Sequence, residues 1–451
     1  MAIFTPKLLL VSIAPGVSNQ QKDGHYHWYY KRLSKEFDSQ GYRSVIGKKM
    51  GALQGETWWE PILESRNGGH GFGPSKFREI VRNGALISQH LHKAPSGSAT
   101  VCQFYDGSLH DMSLLAYLAP LHPNIAFIFN FRPGKNWLDV LQRDRIVGRF
   151  LANRIHNAPQ NVFFYAETSR LRDKISCLTG AVVHDYHVYS SQEFKAAKPR
   201  RDRCIDVAFA PKTEEELSWC ESLLSLLGAE GALRSEVLIP SKLLTTLKKQ
   251  EGGGGFSSIQ VAPLSASSYK ELLEDAKVLV LPYLKEYFAL GSSGKINDAI
   301  LSGAIPFLPK DSAPALQIRS AILRNQVTFS PSRLSETAEK LRRLISLDHP
   351  LNLEGEGVSF EDFSDDMRER SREVREAPST WGGGWDSHSW IWVFILSPLL
   401  REWQTPARIT KRIANWIYTQ SSLIRRFGRF SSRLSAGFRV PPGGERVLDN
   451  D

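Results

Sequence analysis

The chain has 451 residues, 41% hydrophobic and 23% charged, which is enough to bury two substantial cores and unlike a small stapled module. Its four cysteines, Cys102, Cys177, Cys204 and Cys220, are irregularly spaced with no C-x-x-C, which argues against a disulfide framework or a zinc site and points to a reducing cytoplasm. The net charge of +10 is concentrated at the end of the chain, where ten Lys/Arg stand against four Asp/Glu from Arg401 onward; the near-neutral body argues against a nucleic-acid partner.

Leu8 to Ala14 is an apolar run of seven residues that meets Pro15-Gly16 without a cleavage-like pattern, so it reads as a first buried strand and not as a signal peptide. A helix is expected from about His25 to Ser39, with Tyr29, Leu33 and Phe37 at i, i+4, i+8, and then a strand at Ser44 to Ile46. His70-Gly71-Phe72-Gly73 reads as a surface loop. Thr100 to Tyr105 is a strand ending at Asp106-Gly107, with a helix through Met112, Leu115 and Leu118 after it. Ile125 to Phe131 and Asn161 to Tyr165 are further strands, and a helix through Leu171, Ile175 and Leu178 leads to Ala181-Val182-Val183. Such alternation predicts a mainly parallel sheet whose ligands sit at the carboxyl ends of the strands.

Glu193 to Arg203, polar, basic and containing a proline, reads as a linker. Beyond it come a strand at Ile205 to Phe209, a helix from Glu214 to Leu226, and a four-glycine surface loop at Gly252 to Gly255. Val278 to Leu281 is a continuous apolar run of the kind that doubly covered parallel strands show. Gly291-Ser292-Ser293-Gly294 follows, then a helix starting near Ser293 with Ile296, Ala299 and Ile300 on one face, and a strand from Ala304 to Leu308. The first turn of that helix offers unpaired N–H groups, serine hydroxyls and the Lys295 ammonium, which together suit a diphosphate. The same letters also fit a glycine-rich turn of any doubly wound domain, with Lys295 and Asp298 as a surface i,i+3 pair.

This stretch resembles the donor-nucleotide site of GT-B glycosyltransferases of the bacterial group 1 (family 4-like) type, through Ser292, Ser293, Gly294, Asp298, Ala299, Gly303 and Pro306. The likeness extends upstream through Tyr269 to Leu273, Ala276 and Leu281-Pro282-Tyr283, and downstream through Gln326 to Pro331 and a helix from Leu334 to Ile345. It implies two Rossmann-like domains. The expected organisation is an acceptor-side domain over 1–195, a nucleotide-sugar domain over 204–365, a segment over 366–400 returning toward the first domain, and a basic, partly amphipathic tail over 401–451. It further implies that Ser292, Ser293, Gly294, Lys295 and Lys212 bind the donor diphosphate and that Asp298 binds the ribose, although Lys212 also reads as a solvated lysine near a helix start. One departure stands out: retaining members often carry two glutamates eight positions apart, and here Leu290 holds the first place and Asp298 the second, with Glu286 nearby.

The function implied is transfer of a sugar from a nucleoside diphosphate to a glycan or lipid-linked acceptor, without a metal or other cofactor. The one D-x-D, Asp449-Asn450-Asp451, lies at the extreme end of the chain. In the first domain Asp106 and His110, just after a strand end, and His25 and His27, at the start of the first helix, are the candidates for catalysis; each also reads as a cap or packing residue. His184-Asp185-Tyr186-His187 is set aside as a metal site, because i and i+3 of an extended segment face opposite ways. A sugar-nucleotide 2-epimerase of the same architecture and a non-catalytic membrane-surface protein are the other readings.

Trp390 to Leu400 is apolar but falls short of the ~20 residues a bilayer span needs. From Arg401 to Arg433, Trp403, Ile413, Trp416, Ile417, Leu423, Ile424 and Phe427 alternate with Arg408, Lys411, Arg412, Arg425, Arg426 and Arg429. That spacing suits a helix lying in an anionic membrane interface, which would place the protein peripherally at the inner face of the membrane. Alternatively, 390–400 is the helix that returns to the first domain and the basic part is a disordered tail.

Overall fold

The computed structural model describes residues 8–13, 29–35, 44–48, 60–63, 74–93, 99–133, 137–143, 145–186, 190, 194, 198–228, 233–248, 255–262, 264–284, 286–347, 351–353, 355–358, 360–376 and 385. The chain is an α/β protein with two Rossmann-like parallel sheets. The first contains β1 (Leu8–Ile13), β2 (Ser44–Lys48), β3 (Glu60–Leu63), β4 (Ala99–Gly107), β5 (Ala126–Phe131), β6 (Val162–Ala166) and β7 (Val183–Asp185), in the order β3-β2-β1-β4-β5-β6-β7. The second contains β8 (Ile205–Phe209), β9 (Ser235–Pro240), β10 (Ser258–Ala262), β11 (Ala276–Val280), β12 (Ile305–Pro309) and β13 (Thr328–Phe329), in the order β10-β9-β8-β11-β12-β13. Neighbouring strands are parallel throughout.

Parallel strands need both faces covered, and β5 shows how the sequence supplies this. All six of its residues are buried. Phe129 and Phe131 stack edge-on against Trp137 at 5.6 and 5.1 Å between centroids. On the other face Ala126 and Ile128 join a cluster with Leu10, Val101 and Tyr105. That cluster is closed by Phe360, Phe363, Met367 and Val374, one face of the helix Phe360–Glu376. The chain therefore returns to the first sheet on a helix that starts at Phe360 and runs across the boundary drawn at 365/366. Trp385 Nε1 donates to Arg154 O at 2.8 Å. The apolar run Trp390 to Leu400, the tail from Arg401, and the glycine loops at 70–73 and 252–254 lie outside the described residues.

The segment expected to be a polar linker turns two arginines inward. Arg203, 5% exposed, donates to Leu273 O, Ala276 O and Ser302 O at 3.3, 2.6 and 2.5 Å. Arg200, 7% exposed, donates to Leu344 O, Ile345 O and Leu347 O. These carbonyls lie at the C-termini of the helices Ala266–Asp275, Gly294–Ser302 and Leu334–Ile345. Helix ends leave carbonyls without intrahelical partners and carry negative partial charge, so the two forked cations satisfy three ends between them, Arg203 two and Arg200 the third.

Candidate functional site

In the second sheet β8 and β11 are neighbours, but β8 leads to β9 on one side and β11 to β12 on the other. Crossovers diverge there and leave a crevice at the carboxyl ends of the two strands. Lys212 follows β8, while Tyr283, Ser293 and Lys295 follow β11. Glu216, 0% exposed, ties the two loops together by accepting Lys212 N at 2.6 Å and Leu284 N at 3.1 Å. Thr213 caps the same helix by accepting Glu216 N at 3.2 Å.

Lys212 Nζ lies 4.5 Å from the Phe288 ring centroid and 5.3 Å from that of Tyr283, and those rings stack at 3.9 Å. Ring faces attract a cation, so the ammonium is held over the crevice. Tyr283 takes φ 40°, a left-handed conformation that costs a non-glycine residue about 1–2 kcal/mol. Its stacking and a hydrogen bond between its hydroxyl and Ser293 Oγ hold it there.

The helix Gly294–Ser302 begins at Ser293 and ends at Gly303, whose φ of 79° is the left-handed stop that glycine favours. Ser293 N donates to Gln317 Oε1 at 2.9 Å, and Ser292 Oγ donates to Glu167 Oε2 at 2.8 Å. Both expected phosphate-binding hydroxyls thus have protein partners, and the first turn presents the N–H groups of Gly294 and Lys295, which have no acceptor within the helix. Lys295 is pushed down to about 7, chiefly by burial and next by the charge of Lys212, with Asp298 and Glu216 opposing. The structure brings Lys212, Ser293, Gly294 and Lys295 into one crevice.

Asp298 lies one turn deeper and is 5% exposed. It accepts Ser190 Oγ at 2.6 Å and Tyr269 OH at 3.0 Å. Burial raises its pKa to about 6 against the pull of those bonds and of Lys295. A carboxylate has lone pairs left over beside those two bonds for a further donor.

At the switch point of the first sheet, between β1 and β4, His110 is 3% exposed with its Nε2 3.9 Å from Glu79 Oε1. Asp106 belongs to β4, but its side chain lies outside the described residues, as do that of Glu286 and the whole of His25 and His27. His184 packs beside the Tyr165 ring at 5.2 Å, a core contact. Sequence reading placed Tyr283 in the motif without a role and missed Glu216, Gln317 and Glu167. Only Glu216 had a local signal, the Thr213-x-x-Glu216 spacing of a capping box. Among the described residues no group of three or more His, Cys, Asp or Glu could hold a metal ion, and no helix is long and apolar enough to cross a membrane.

No family model matches the chain, and no curated protein matches it in sequence. Solved structures are similar at low identity. An alpha,alpha-trehalose-phosphate synthase (UDP-forming) from Burkholderia vietnamiensis is 13% identical at a TM-score of 0.44, over 82% of this chain and 96% of that one. A glycosyltransferase from Rickettsia africae ESF-5 is 11% identical at 0.49, over 88% and 100%. The N-terminal domain of Candida albicans trehalose-6-phosphate phosphatase is 10% identical at 0.48, over 88% and 97%. Likeness at this level carries nothing over to the side chains of this chain.

The Asp298 carboxyl keeps its proton to about pH 6 in the folded state and releases it near 3.8 when unfolded. The folded state is therefore the better proton binder, and this stabilisation is complete below pH 3.8 and lost as pH rises through about 6. In urea unfolding from pH 4 to pH 7, wild type should lose about 2 kcal/mol relative to Asp298→Asn. A difference constant across that range would contradict the buried, protonated carboxyl.

Proposed function

We propose that the protein is a glycosyltransferase that takes a sugar from a nucleoside diphosphate held at the crevice between β8 and β11 and passes it to a glycan or lipid-linked acceptor on the side of the first sheet. One observation carries this reading: two lysines and an uncapped helix start converge at a switch point. As the bond between the anomeric carbon and the β-phosphate oxygen breaks, negative charge grows on the departing diphosphate. Groups fixed in advance where that charge develops lower the barrier most. Lys295 and the N–H groups of Gly294 and Lys295 are such groups, and Lys212 adds a second cation. Nothing in this chemistry needs a divalent ion. The motif from Ser292 to Pro306 and the two-sheet architecture support the reading, with Asp298 at the ribose.

Lys295→Ala should lower the rate of sugar transfer by roughly 10²-fold or more in a folded protein, and wild-type turnover should persist in EDTA. The assay follows labelled sugar into an acceptor extract. Unchanged turnover in Lys295→Ala removes the site assignment, loss on chelation restored by Mn²⁺ contradicts metal independence, and release of free sugar without transfer favours epimerisation.

We further propose that the enzyme works at the inner face of a membrane, held by the basic and aromatic residues between Arg401 and Arg433. Each Lys or Arg near an anionic surface contributes about 1 kcal/mol, and this attraction weakens as salt shortens the Debye length. The full chain should sediment with anionic vesicles at low salt, and a variant truncated after Leu400 should not. Equal sedimentation would dismiss the anchor while leaving the enzymatic reading intact.

A further inference from the structure

A buried carboxylate sits where a site for phosphate ought to exclude one. Glu167 directly follows β6, and its side chain is 0% exposed. One of its oxygens accepts the hydroxyl of Ser292 in the loop that opens the donor helix, at 2.8 Å. The other lies 2.5 Å from Nε of Arg132, which directly follows the neighbouring strand β5. The Arg132 guanidinium also lies over the Tyr105 ring, 5.0 Å from its centroid. Next to Glu167, Thr168 Oγ1 donates to Leu290 O at 2.7 Å. Two consecutive residues just after β6 therefore grip the loop from Leu290 to Ser292, and the one that reaches the serine is charged.

We propose that Arg132 is a donor-phosphate-binding residue supplied by the first sheet, with Glu167 as its placeholder on Ser292 until a phosphate arrives. The carboxylate does what a phosphate oxygen does: it accepts the Ser292 hydroxyl and neutralises a cation. A hydroxyl has one proton to donate, so a phosphate that takes it must displace Glu167. A guanidinium has five donors in a rigid fork and can serve a carboxylate and a phosphate together, whereas an ammonium is a single point charge. Arg132 thus adds to Lys212 and Lys295 a cation from the other sheet, and donor affinity becomes a property of both halves. The ion pair is kept buried because removing one partner strands the other's charge, which makes it stable while it waits.

This inference rests on the donor-site reading, and the experiment separates the two. Calorimetry with UDP, GDP, ADP, CDP and dTDP selects the diphosphate that wild type binds most tightly, and its parent nucleoside is measured by competition. Arg132→Ala should weaken the diphosphate by about tenfold, and Glu167→Gln, which keeps an acceptor but removes the charge, should tighten it by about tenfold. Neither should change nucleoside affinity. If Arg132→Ala does not fold, Arg132→Lys should weaken the diphosphate through loss of the fork, and unaltered binding there would overturn the proposal. Unaltered diphosphate binding in Arg132→Ala, or weakening of diphosphate and nucleoside alike in Glu167→Gln, would make the pair a structural brace and likewise overturn it. Failure of wild type to bind any diphosphate would defeat the donor site itself, and this inference with it.

Discussion

The buried carboxylate of Glu216 is the constraint on which the candidate site depends. A charge removed from water is costly unless hydrogen bonds replace its hydration, and this one takes the backbone N–H groups of Lys212 and Leu284. Its place in the first turn of the helix Glu214–Leu227 adds the favourable end of the helix dipole. The two bonds fix the loops after β8 and β11 against each other. From that fixed point Tyr283 can stack on Phe288 in a strained conformation, Lys212 can lie over the rings, and Ser293 can start the donor helix under the tyrosine hydroxyl.

The electrostatics of the site follow from the same crowding. Burial first and the charge of Lys212 next push Lys295 toward its neutral form, while Asp298 and Glu216 pull the other way. Asp298 in turn is shielded by Ser190, which belongs to the segment between the two sheets. Asn297, one residue earlier, exchanges two hydrogen bonds with Val358, just ahead of the returning helix. The helix Gly294–Ser302 is therefore held by both chain segments that pass between the sheets, and Arg203 holds its far end through Ser302.

The sequence made the helix Gly294–Ser302 legible because its signals are local. An apolar run, a glycine and serine turn, an amphipathic face and a terminal glycine occur in order, and β11, the helix and β12 appear within a residue or two of where they were expected. The partners of that helix were hidden because they are remote: Glu167 is 125 residues from Ser292, and Ser190 is 108 from Asp298. Arg200 and Arg203 read as linker because helix ends converge on them only in three dimensions. The helix Pro74–Leu91 went unread in part because Gly84 interrupts it; a Cβ there would lie 2.5 Å from the Tyr117 ring, so close packing and not turn formation selects the glycine. That helix carries Glu79, and so the surroundings of His110 were out of reach as well.

The central claim is that a diphosphate binds against Lys295 and restores its charge. Proton exchange on binding measures this directly. At pH 8 Lys295 is mostly neutral, since its pKa is held to about 7, and a bound diphosphate raises that value. Titration of nucleoside diphosphate in buffers of different ionisation enthalpy should show uptake approaching about one proton at pH 8, with affinity falling as pH rises further. Binding without proton uptake at that pH would contradict the account.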